Sequence, residues 1–166
     1  LELGQRLGAE VRFIEYMDVG GATRWTMEDV ISRKEMLRRL SAHFGPIAAI
    51  DENTAAPADR FTLPDGTVFG IISSTTEPFC RQCDRSRLTA DGLWYRCLYA
   101  RAGTDLRGPL RSGVDVDGLR ELIATTWQAR DDRGAEERLA SDGRSTLVPV
   151  ETLQGEPHLE MHTRGG

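Results

Sequence analysis

The sequence of 166 residues predicts a mixed α/β (α+β) fold, and three observations support this class. A mostly apolar run at residues 11–19, VRFIEYMDV, is typical of a strand in a sheet that has helices on its faces. Residues 32–44 and 115–130 repeat apolar side chains at helical spacing. Asp-Gly pairs at 65–66 and 91–92 are typical of β-hairpin turns. The chain is therefore expected to pack helices against sheets.

The first elements are a strand and a capped helix. The near-continuous apolar run at 11–19 predicts a parallel strand that is buried on both faces, with the loop GGATRW after it. Ser32 and Glu35 fit a capping box, in which each side chain accepts a hydrogen bond from the backbone amide of the other residue. The helix that follows is predicted to end at Gly45-Pro46 and to bury one face, made of Met36, Leu37, Leu40 and Phe44.

Hairpins and a further helix are predicted after a polar linker at 51–59. Residues 60–74 predict a hairpin about Asp65-Gly66, and its second strand carries the apolar residues Val68, Ile71 and Ile72. Residues 115–130 predict a helix whose apolar face consists of Val116, Leu119, Leu122, Ile123 and Trp127. The charged tail contains a predicted strand at 146–153, TLVPVETL.

Composition and charge are those of an ordinary folded protein, with 39% hydrophobic and 28% charged residues. The net charge of -5 argues against a binder of nucleic acid or of membrane surfaces. No apolar run reaches the roughly eighteen residues of a membrane span, and the start has no signal-peptide layout, so a cytoplasmic protein is expected. Lys34 is the only lysine, so an anion site would have to use arginine side chains or backbone amides.

All three cysteines fall in one segment, residues 77–99. Cys80 and Cys83 form a C-x-x-C step, a spacing that lets two sulfurs reach one metal centre. With a two-residue turn at Asp91-Gly92, Leu88 would pair with Tyr95 and Ser86 with Cys97. This register would bring Cys97 back beside Cys83, so the spacing predicts one site with three thiolates.

The spacing leaves the nature of this site open among three alternatives. The first is a structural zinc ion with a distant histidine as fourth ligand, for which His43, His158 and His162 are the candidates. The second is a 4Fe–4S cluster, in which three thiolates leave one iron free for a substrate or small ligand. The third is a set of reduced cysteines that pack as small apolar side chains.

Arginines suggest an anion site near the cysteines. Arg85 and Arg87 would share one face of a strand, about 7 Å apart, a separation that suits a polyphosphate or a purine edge. The alternative is a solvated surface pair, and the predicted register places both opposite the face of Cys97. Arg12 lies within the apolar strand, where burial would require an anionic partner, either Glu15 or a substrate. Gly165-Gly166 is either a frayed tail or a segment narrow enough to enter a tight site.

These residues carry a resemblance to a known family. Residues 79–99, FCRQCDRSRLTADGLWYRCLY, resemble the C-terminal signature of the GTP 3′,8-cyclases, radical S-adenosylmethionine enzymes also called molybdenum cofactor biosynthesis protein A. The resemblance extends over nearly the whole chain and is weakest from about 130 to 158. Other segments that agree are VRFIEYMDVG, SRKEML, FGIISS, DLRGPLRSG and the terminal GG.

The resemblance implies the C-terminal part of a radical enzyme. In that family an N-terminal C-x-x-x-C-x-x-C motif, absent from this sequence, binds the 4Fe–4S cluster that cleaves S-adenosylmethionine. Residues 1–45 would be the end of a partial (βα)6 barrel, and residues 46–166 a domain with a second 4Fe–4S cluster. The complete enzyme, expected to be a homodimer, would convert GTP to (8S)-3′,8-cyclo-7,8-dihydroguanosine 5′-triphosphate in molybdopterin synthesis. A deoxyadenosyl radical would abstract hydrogen at C3′, and the ribose radical would attack C8.

The resemblance also implies roles for particular residues. It implies that Cys80, Cys83 and Cys97 bind the second cluster, whose open iron faces the purine. Met17 would contact S-adenosylmethionine, and Gly165 and Gly166 would enter the active site. GTP would be contacted by Arg85, Ser86, Arg87 and Arg12. The sequence departs from the family at Asp84, where asparagine is common, and at Arg164, where an apolar residue is common.

A competing hypothesis is a stand-alone nucleotide- or metal-binding module, such as a zinc-stapled domain, without catalysis. A self-contained element at residues 1–20 would favour the module, whereas an open sheet edge there would favour part of a larger enzyme.

Overall fold

The computed structural model describes residues 1–19, 24–52, 54–156 and 159–160. Within these ranges the α-helices are Glu2–Leu7 (α1), Arg33–Phe44 (α2), Arg107–Arg111 (α3), Val116–Gln128 (α4), Gly134–Ala140 (α5) and Val150–Gly155 (α6). The strands are Val11–Ile14 (β1), Ala48–Ile50 (β2), Asp59–Thr62 (β3), Val68–Ile72 (β4), Arg87–Leu88 (β5), Leu93–Tyr95 (β6) and Thr104–Asp105 (β7). Short 3-10 turns lie at Met27–Asp29 and Cys80–Gln82. This mixture confirms the predicted α/β class.

The first sheet has four strands in the order β1-β4-β3-β2. β1 runs parallel to β4, with Val11 opposite Phe69 and Ile14 opposite Ile72. β3 and β4 form the predicted hairpin about Asp65-Gly66, and Gly66 adopts the positive φ of 86° that such a turn requires. The parallel first strand and this hairpin are therefore confirmed.

β1 is shorter and more exposed than the sequence predicts. It ends at Ile14, and Arg12 and Ile14 are exposed while Val11 and Phe13 are partly buried. Within the described residues β1 pairs on one side only, so it is an edge strand of the sheet. The prediction of a strand buried on both faces is therefore wrong, because the apolar run meets a covering layer on a single face.

A hydrophobic core supports the first sheet. The face of α2 predicted from the sequence packs on this core, which confirms the helical pattern. The buried core side chains are Phe61, Leu63, Phe69 and Ile71. The side chains of α2 that pack against them are partly buried: Met36, Leu37, Leu40 and Phe44. Since α2 and β1 share this core with β3 and β4, these four elements pack together. The predicted division between residues 45 and 46 stays a prediction.

The predicted capping box of α2 is half present. The Ser32 hydroxyl accepts a hydrogen bond from the Glu35 amide at 3.3 Å. The Glu35 carboxylate instead binds Arg38 and Arg39, each at 2.7 Å. The reciprocal half of the prediction is wrong because two guanidinium groups one turn later on the helix compete for the same carboxylate.

The second sheet has the order β5-β6-β7, and its hairpin differs from the predicted register by one residue. Arg87 pairs with Tyr95 and Leu88 with Trp94, so the predicted pairing of Leu88 with Tyr95 is wrong. The loop contains three residues instead of two, since the Thr89 amide donates to the Leu93 carbonyl at 2.9 Å. The Thr89 hydroxyl also accepts from the Leu93 amide at 2.9 Å, which stabilises the wider loop.

Two further predictions need correction in the C-terminal part. On α4, Leu119, Leu122 and Trp127 are partly buried, but Val116 and Ile123 are exposed, so the apolar face is narrower than predicted. The strand predicted at 146–153 is wrong: α6 begins at Val150. Pro149 precedes this helix. Proline lacks the amide hydrogen that a strand would donate, and its fixed φ suits the start of a helix.

In the described part of the chain, every helix is too short or too polar to cross a bilayer.

Candidate functional site

A cavity of about 230 Å3 lies between the two sheets. The first sheet contributes Ile14 and Ile72, and the segment after β1 contributes Met17. The opposite walls come from the cysteine segment, from the turn after α4 and from the start of α5. These walls contain Phe79, Cys80, Cys83, Arg85, Arg87, Cys97, Leu98, Tyr99, Arg130, Asp132 and Ala135.

All three cysteines line this cavity as partly buried free thiols. Cys80 begins the 3-10 turn and Cys83 closes it, with the Cys83 amide donating to the Cys80 carbonyl at 3.3 Å. Cys97 follows β6, and the hairpin returns it to the same cavity. The arrangement brings together the three residues that the sequence predicts as one site, although through a different register.

The three thiols can be compared with the ligands that a zinc ion and a 4Fe–4S cluster require. Among the described residues, no three His, Cys, Asp or Glu side chains are grouped closely enough to hold a metal ion. A zinc ion needs all its sulfur ligands about 2.3 Å from one point. A 4Fe–4S cluster is larger, because each thiolate binds a different iron. The donor set of three thiols in one cavity fits either group by its chemistry, since both take thiolate ligands.

Histidine ligation of this site finds no support in the described part of the chain. His43 lies near the end of α2, where its ring makes an edge contact with Phe44 at a centroid distance of 4.5 Å. It does not line the cavity. His158 and His162 lie outside the described residues.

Cys83 lies in a strongly polar environment. Nη2 of Arg85 donates to its Sγ at 3.3 Å, and Nη2 of Arg130 donates at 3.5 Å. Burial acts to raise the pKa of the Cys83 thiol, but the hydrogen bonds from Arg130 and Arg85 outweigh it and lower the pKa below its ordinary value. The surroundings therefore favour the thiolate, which is the form that binds metals.

Arg85 and Arg87 both line the cavity, together with the thiols. The observed register explains this, because its continuation places Arg85 opposite Cys97, and a one-residue shift turns every side chain to the other face of a strand. Burial and the charge of Arg85 lower the pKa of Arg87. Within the described residues neither guanidinium pairs with a carboxylate, so the cavity concentrates positive charge that an anion would neutralise.

Arg12 occupies a different environment from the one predicted. Its side chain is 50% exposed and pairs with Glu10 at 3.0 Å, so neither burial nor a partnership with Glu15 is correct. Glu15 is buried and accepts hydrogen bonds from the amides of Arg33, Thr75 and Thr76. Arg12 shares a face of β1 with Ile14 but does not line the cavity.

Two other predicted site features lie elsewhere. Ser86, between the two cavity arginines, does not line the cavity. Gly165 and Gly166, with the departure at Arg164, lie outside the described residues. The predicted contact of Ser86 with GTP and the predicted entry of Gly165 and Gly166 into the active site stay predictions.

Asp18 is a buried residue near the cavity that the sequence reasoning missed. Its fully buried carboxylate accepts hydrogen bonds from Tyr99 at 3.0 Å, Arg138 at 2.8 Å and Arg144 at 2.9 Å. Burial acts to raise the pKa of Asp18, but the hydrogen bonds from Arg144 and Arg138 outweigh it and lower the pKa. Since Tyr99 lines the cavity, Asp18 connects one wall of the site to the C-terminal segment.

Arg130 and Asp132 were missed as well, although both line the cavity. They follow α4 in a charged stretch that has no periodicity. The only sequence feature that could have indicated them is that an arginine and an aspartate come shortly after Trp127, at the end of a predicted amphipathic helix.

The fold and the cavity define a mixed α/β domain whose site combines three thiols with two guanidinium groups that have no carboxylate partner among the described residues. The chain belongs to the Molybdenum Cofactor Synthesis C family, whose model matches residues 9–136. This match includes β1, both sheets, the three cysteines and the first residues of α5.

Curated relatives carry a common name. GTP 3′,8-cyclase 1 of Mycobacterium tuberculosis (strain ATCC 25618 / H37Rv) is 57% identical over 166 residues, which are 100% of this chain and 46% of the relative. GTP 3′,8-cyclase 3 of Mycobacterium bovis is 54% identical over 100% of this chain and 44% of its own length. The GTP 3′,8-cyclase of Parasynechococcus marenigrum is 39% identical over 99% and 44%. The chain thus spans less than half the length of these relatives.

Proposed function

We propose that this chain is the substrate-binding, C-terminal part of a GTP 3′,8-cyclase that forms (8S)-3′,8-cyclo-7,8-dihydroguanosine 5′-triphosphate for molybdenum cofactor synthesis. The observation that carries the proposal is that Cys80, Cys83 and Cys97 share one cavity with Arg85 and Arg87, which have no carboxylate partner in the described part of the chain. Family membership and the names of the relatives support the same reaction.

Each element of the cavity has a part in this proposal. The three thiolates would hold a 4Fe–4S cluster, which when bound would offer an open iron to the guanine base. Arg85 and Arg87 bind the anionic or acceptor groups of GTP with guanidinium forks. The guanidinium carbon of Arg85 lies 4.5 Å from the centre of the Phe79 ring. Apolar Ile14 and Ile72 reduce the access of water.

The remaining assignments depend on the family relationship. Met17 lines the cavity and is proposed to contact S-adenosylmethionine. Arg12 and Ser86 are proposed as further GTP contacts, and Gly165 and Gly166 as a tail that enters the active site. The complete enzyme is proposed to be a homodimer.

The edge of the first sheet supports a place within a larger enzyme. In the described residues β1 pairs on one side only. Beside it, Leu3 and Leu7 of α1 are 59% and 71% exposed. We propose that the end of a partial (βα)6 barrel lies here, and that the rest of the enzyme supplies the other cluster and covers this surface.

This chain by itself is proposed to have no cyclase activity. Its residues hold GTP so that C3′ and C8 lie in a reactive geometry, but hydrogen abstraction at C3′ needs a radical that they do not generate. Incubating the purified chain with GTP, S-adenosylmethionine and a reductant should give no cyclised product. Product formation above a protein-free control would contradict this part of the proposal.

Anaerobic iron and sulfide analysis with GTP titration tests the main proposal. The wild-type chain should bind about four iron and four sulfide and should bind GTP in a calorimetric titration. Cys97→Ala should lose most of the cluster and bind GTP more weakly. Ser74→Ala is the matched control, because Ser74 lines the same cavity and its buried hydroxyl has no hydrogen-bond partner among the described residues.

The outcomes separate the candidate functions. A colourless chain with one zinc ion would indicate a zinc-stapled module and overturn the proposal. A full cluster with unchanged GTP binding in Cys97→Ala would contradict the three-thiolate site. Cluster loss in Cys97→Ala together with a normal cluster in Ser74→Ala would support it.

A further inference from the structure

Arg130 contacts Cys83 at two points. Nη1 of Arg130 donates to the Cys83 carbonyl oxygen at 2.5 Å, and Nη2 donates to the Cys83 Sγ at 3.5 Å. Both donors belong to one planar guanidinium group. The contact therefore fixes the sulfur relative to the main chain of the same residue.

Arg130 is itself held in place by its surroundings. Its side chain is only 11% exposed. Its guanidinium carbon lies 4.6 Å from the centre of the Trp127 ring, and its Nε lies 3.9 Å from Oδ2 of Asp132. Arg96 faces the same Asp132 oxygen at 3.6 Å and donates to the Thr126 carbonyl at 2.8 Å. The group is thus positioned before any ligand binds.

The second sulfur donor, Arg85, differs from Arg130. Arg85 stacks on Phe79 and, in the described part of the chain, has no carboxylate partner. It is therefore available to turn toward an anionic substrate. Arg130 has both a carboxylate neighbour and a main-chain acceptor, so its contact with Cys83 would persist when Arg85 binds substrate.

We propose that Arg130 is a positioning residue for Cys83: it orients the thiolate toward the cluster and stabilises its negative charge. This inference rests on the proposed function, in which Cys83 is a cluster ligand. A cationic hydrogen-bond donor at a ligand sulfur stabilises the more negative, reduced state of a cluster and so raises its reduction potential.

A redox titration of the anaerobically reconstituted chain tests the role of Arg130. In Arg130→Gln, the ratio of reduced to oxidised cluster at a fixed potential should fall about tenfold, the effect of losing one hydrogen bond to a charged group. Arg130→Lys keeps the charge but not the fork, so its ratio should fall less. Arg120→Gln is the matched control, because Arg120 is exposed on the surface of α4 and pairs with Asp117. Its potential should equal that of wild type.

The outcomes keep this inference separate from the proposed function. A wild-type chain without a cluster contradicts both. A clustered wild type whose potential equals that of Arg130→Gln contradicts only the role of Arg130. If Arg130→Gln does not assemble a cluster, the reduction potential of Arg130→Lys is the test. A potential below that of wild type would support the positioning role of Arg130. An unchanged potential would overturn it.

Discussion

Two regions of this chain, the four-stranded sheet with α2 and the walls of the cavity, are supported by different kinds of contact. The four-stranded sheet and α2 bury apolar side chains, and Phe69 and Ile71 are fully enclosed. The cavity side of the molecule depends on guanidinium groups, such as Arg144 on Asp18 and Arg130 on Cys83. Apolar burial is strong but non-directional, whereas hydrogen bonds fix orientation. The difference teaches that apolar packing stabilises one region, whereas in the other region directional hydrogen bonds stabilise the fold and also position the site residues.

The largest expected effect is in the apolar region. Phe69→Ala should lower the free energy of unfolding by about 3–5 kcal/mol, since the fully buried ring stacks on Phe61 at 5.6 Å and its loss leaves a cavity. Urea unfolding measures this change. Leu88→Ala, at a position 58% exposed, is the control and should change the same free energy by less than about 0.5 kcal/mol. Similar costs for the two variants would contradict the assignment of the main core to the first sheet.

Asp18→Asn should have the largest effect on the polar side of the molecule. The substitution leaves the cationic groups of Arg138 and Arg144 without their buried counter-charge, and we expect a loss of about 3 kcal/mol in the free energy of unfolding. Asp117→Asn is the control, because Asp117 is exposed and pairs with Arg120 on the surface of α4, where an ion pair contributes about 0.5 kcal/mol or less.

The same pair of variants gives a test by pH. The pKa of Asp18 is lower in the folded chain than its ordinary value of 3.8, so its stabilising contribution is present above that value and is lost as the pH falls through the folded pKa. The free energy of unfolding of wild type should therefore fall as the pH drops below about 4. Asp18→Asn should show a smaller fall than Asp117→Asn. Parallel pH curves would mean that Asp18 does not contribute to the pH dependence of stability.

We expect Gly134→Ala to change iron binding at the cavity more than it changes the free energy of unfolding. A Cβ at Gly134 would lie 2.5 Å from Cβ of Tyr99 and 3.1 Å from Sγ of Cys97. Relief of these contacts should cost about 1–3 kcal/mol and displace the thiol, so iron binding after reconstitution should fall. Gly155→Ala is the control, since an added Cβ there meets no atom within 4 Å. Full iron binding by Gly134→Ala would show that Cys97 tolerates movement.

The sequence predicted the apolar region better than the polar one, for a physical reason. The face of α2 and the hairpin at Asp65-Gly66 follow from local periodicity and turn chemistry, which neighbouring residues determine. The turn at Asp91-Gly92 was predicted with the wrong register, because the hydroxyl of Thr89 stabilises a wider loop. Turn residues indicate that a hairpin exists but do not fix its length.

The same limit applies to the site. Cys80 and Cys83 are close in sequence, so their spacing and the hairpin were enough to predict a shared site with Cys97. The predicted register placed Arg85 and Arg87 on the opposite face, and only the resemblance to the family joined them to the cysteines. The hydrogen bond from Arg138 to Asp18 spans 120 positions, and that from Arg130 to Cys83 spans 47. No local pattern encodes such pairs, since they form only when distant segments pack together.

Ser32→Ala has the smallest expected effect and tests how far local contacts support the apolar region. The variant removes the acceptor of the Glu35 amide, and we expect a loss of about 1 kcal/mol in the free energy of unfolding. The Glu35 carboxylate is already bound by two arginines and does not replace this cap. Ser41→Ala, in the interior of α2, should be neutral or slightly stabilising because alanine favours helices. Equal unfolding energies for the two variants would mean that packing on the core, rather than the cap, determines where α2 begins.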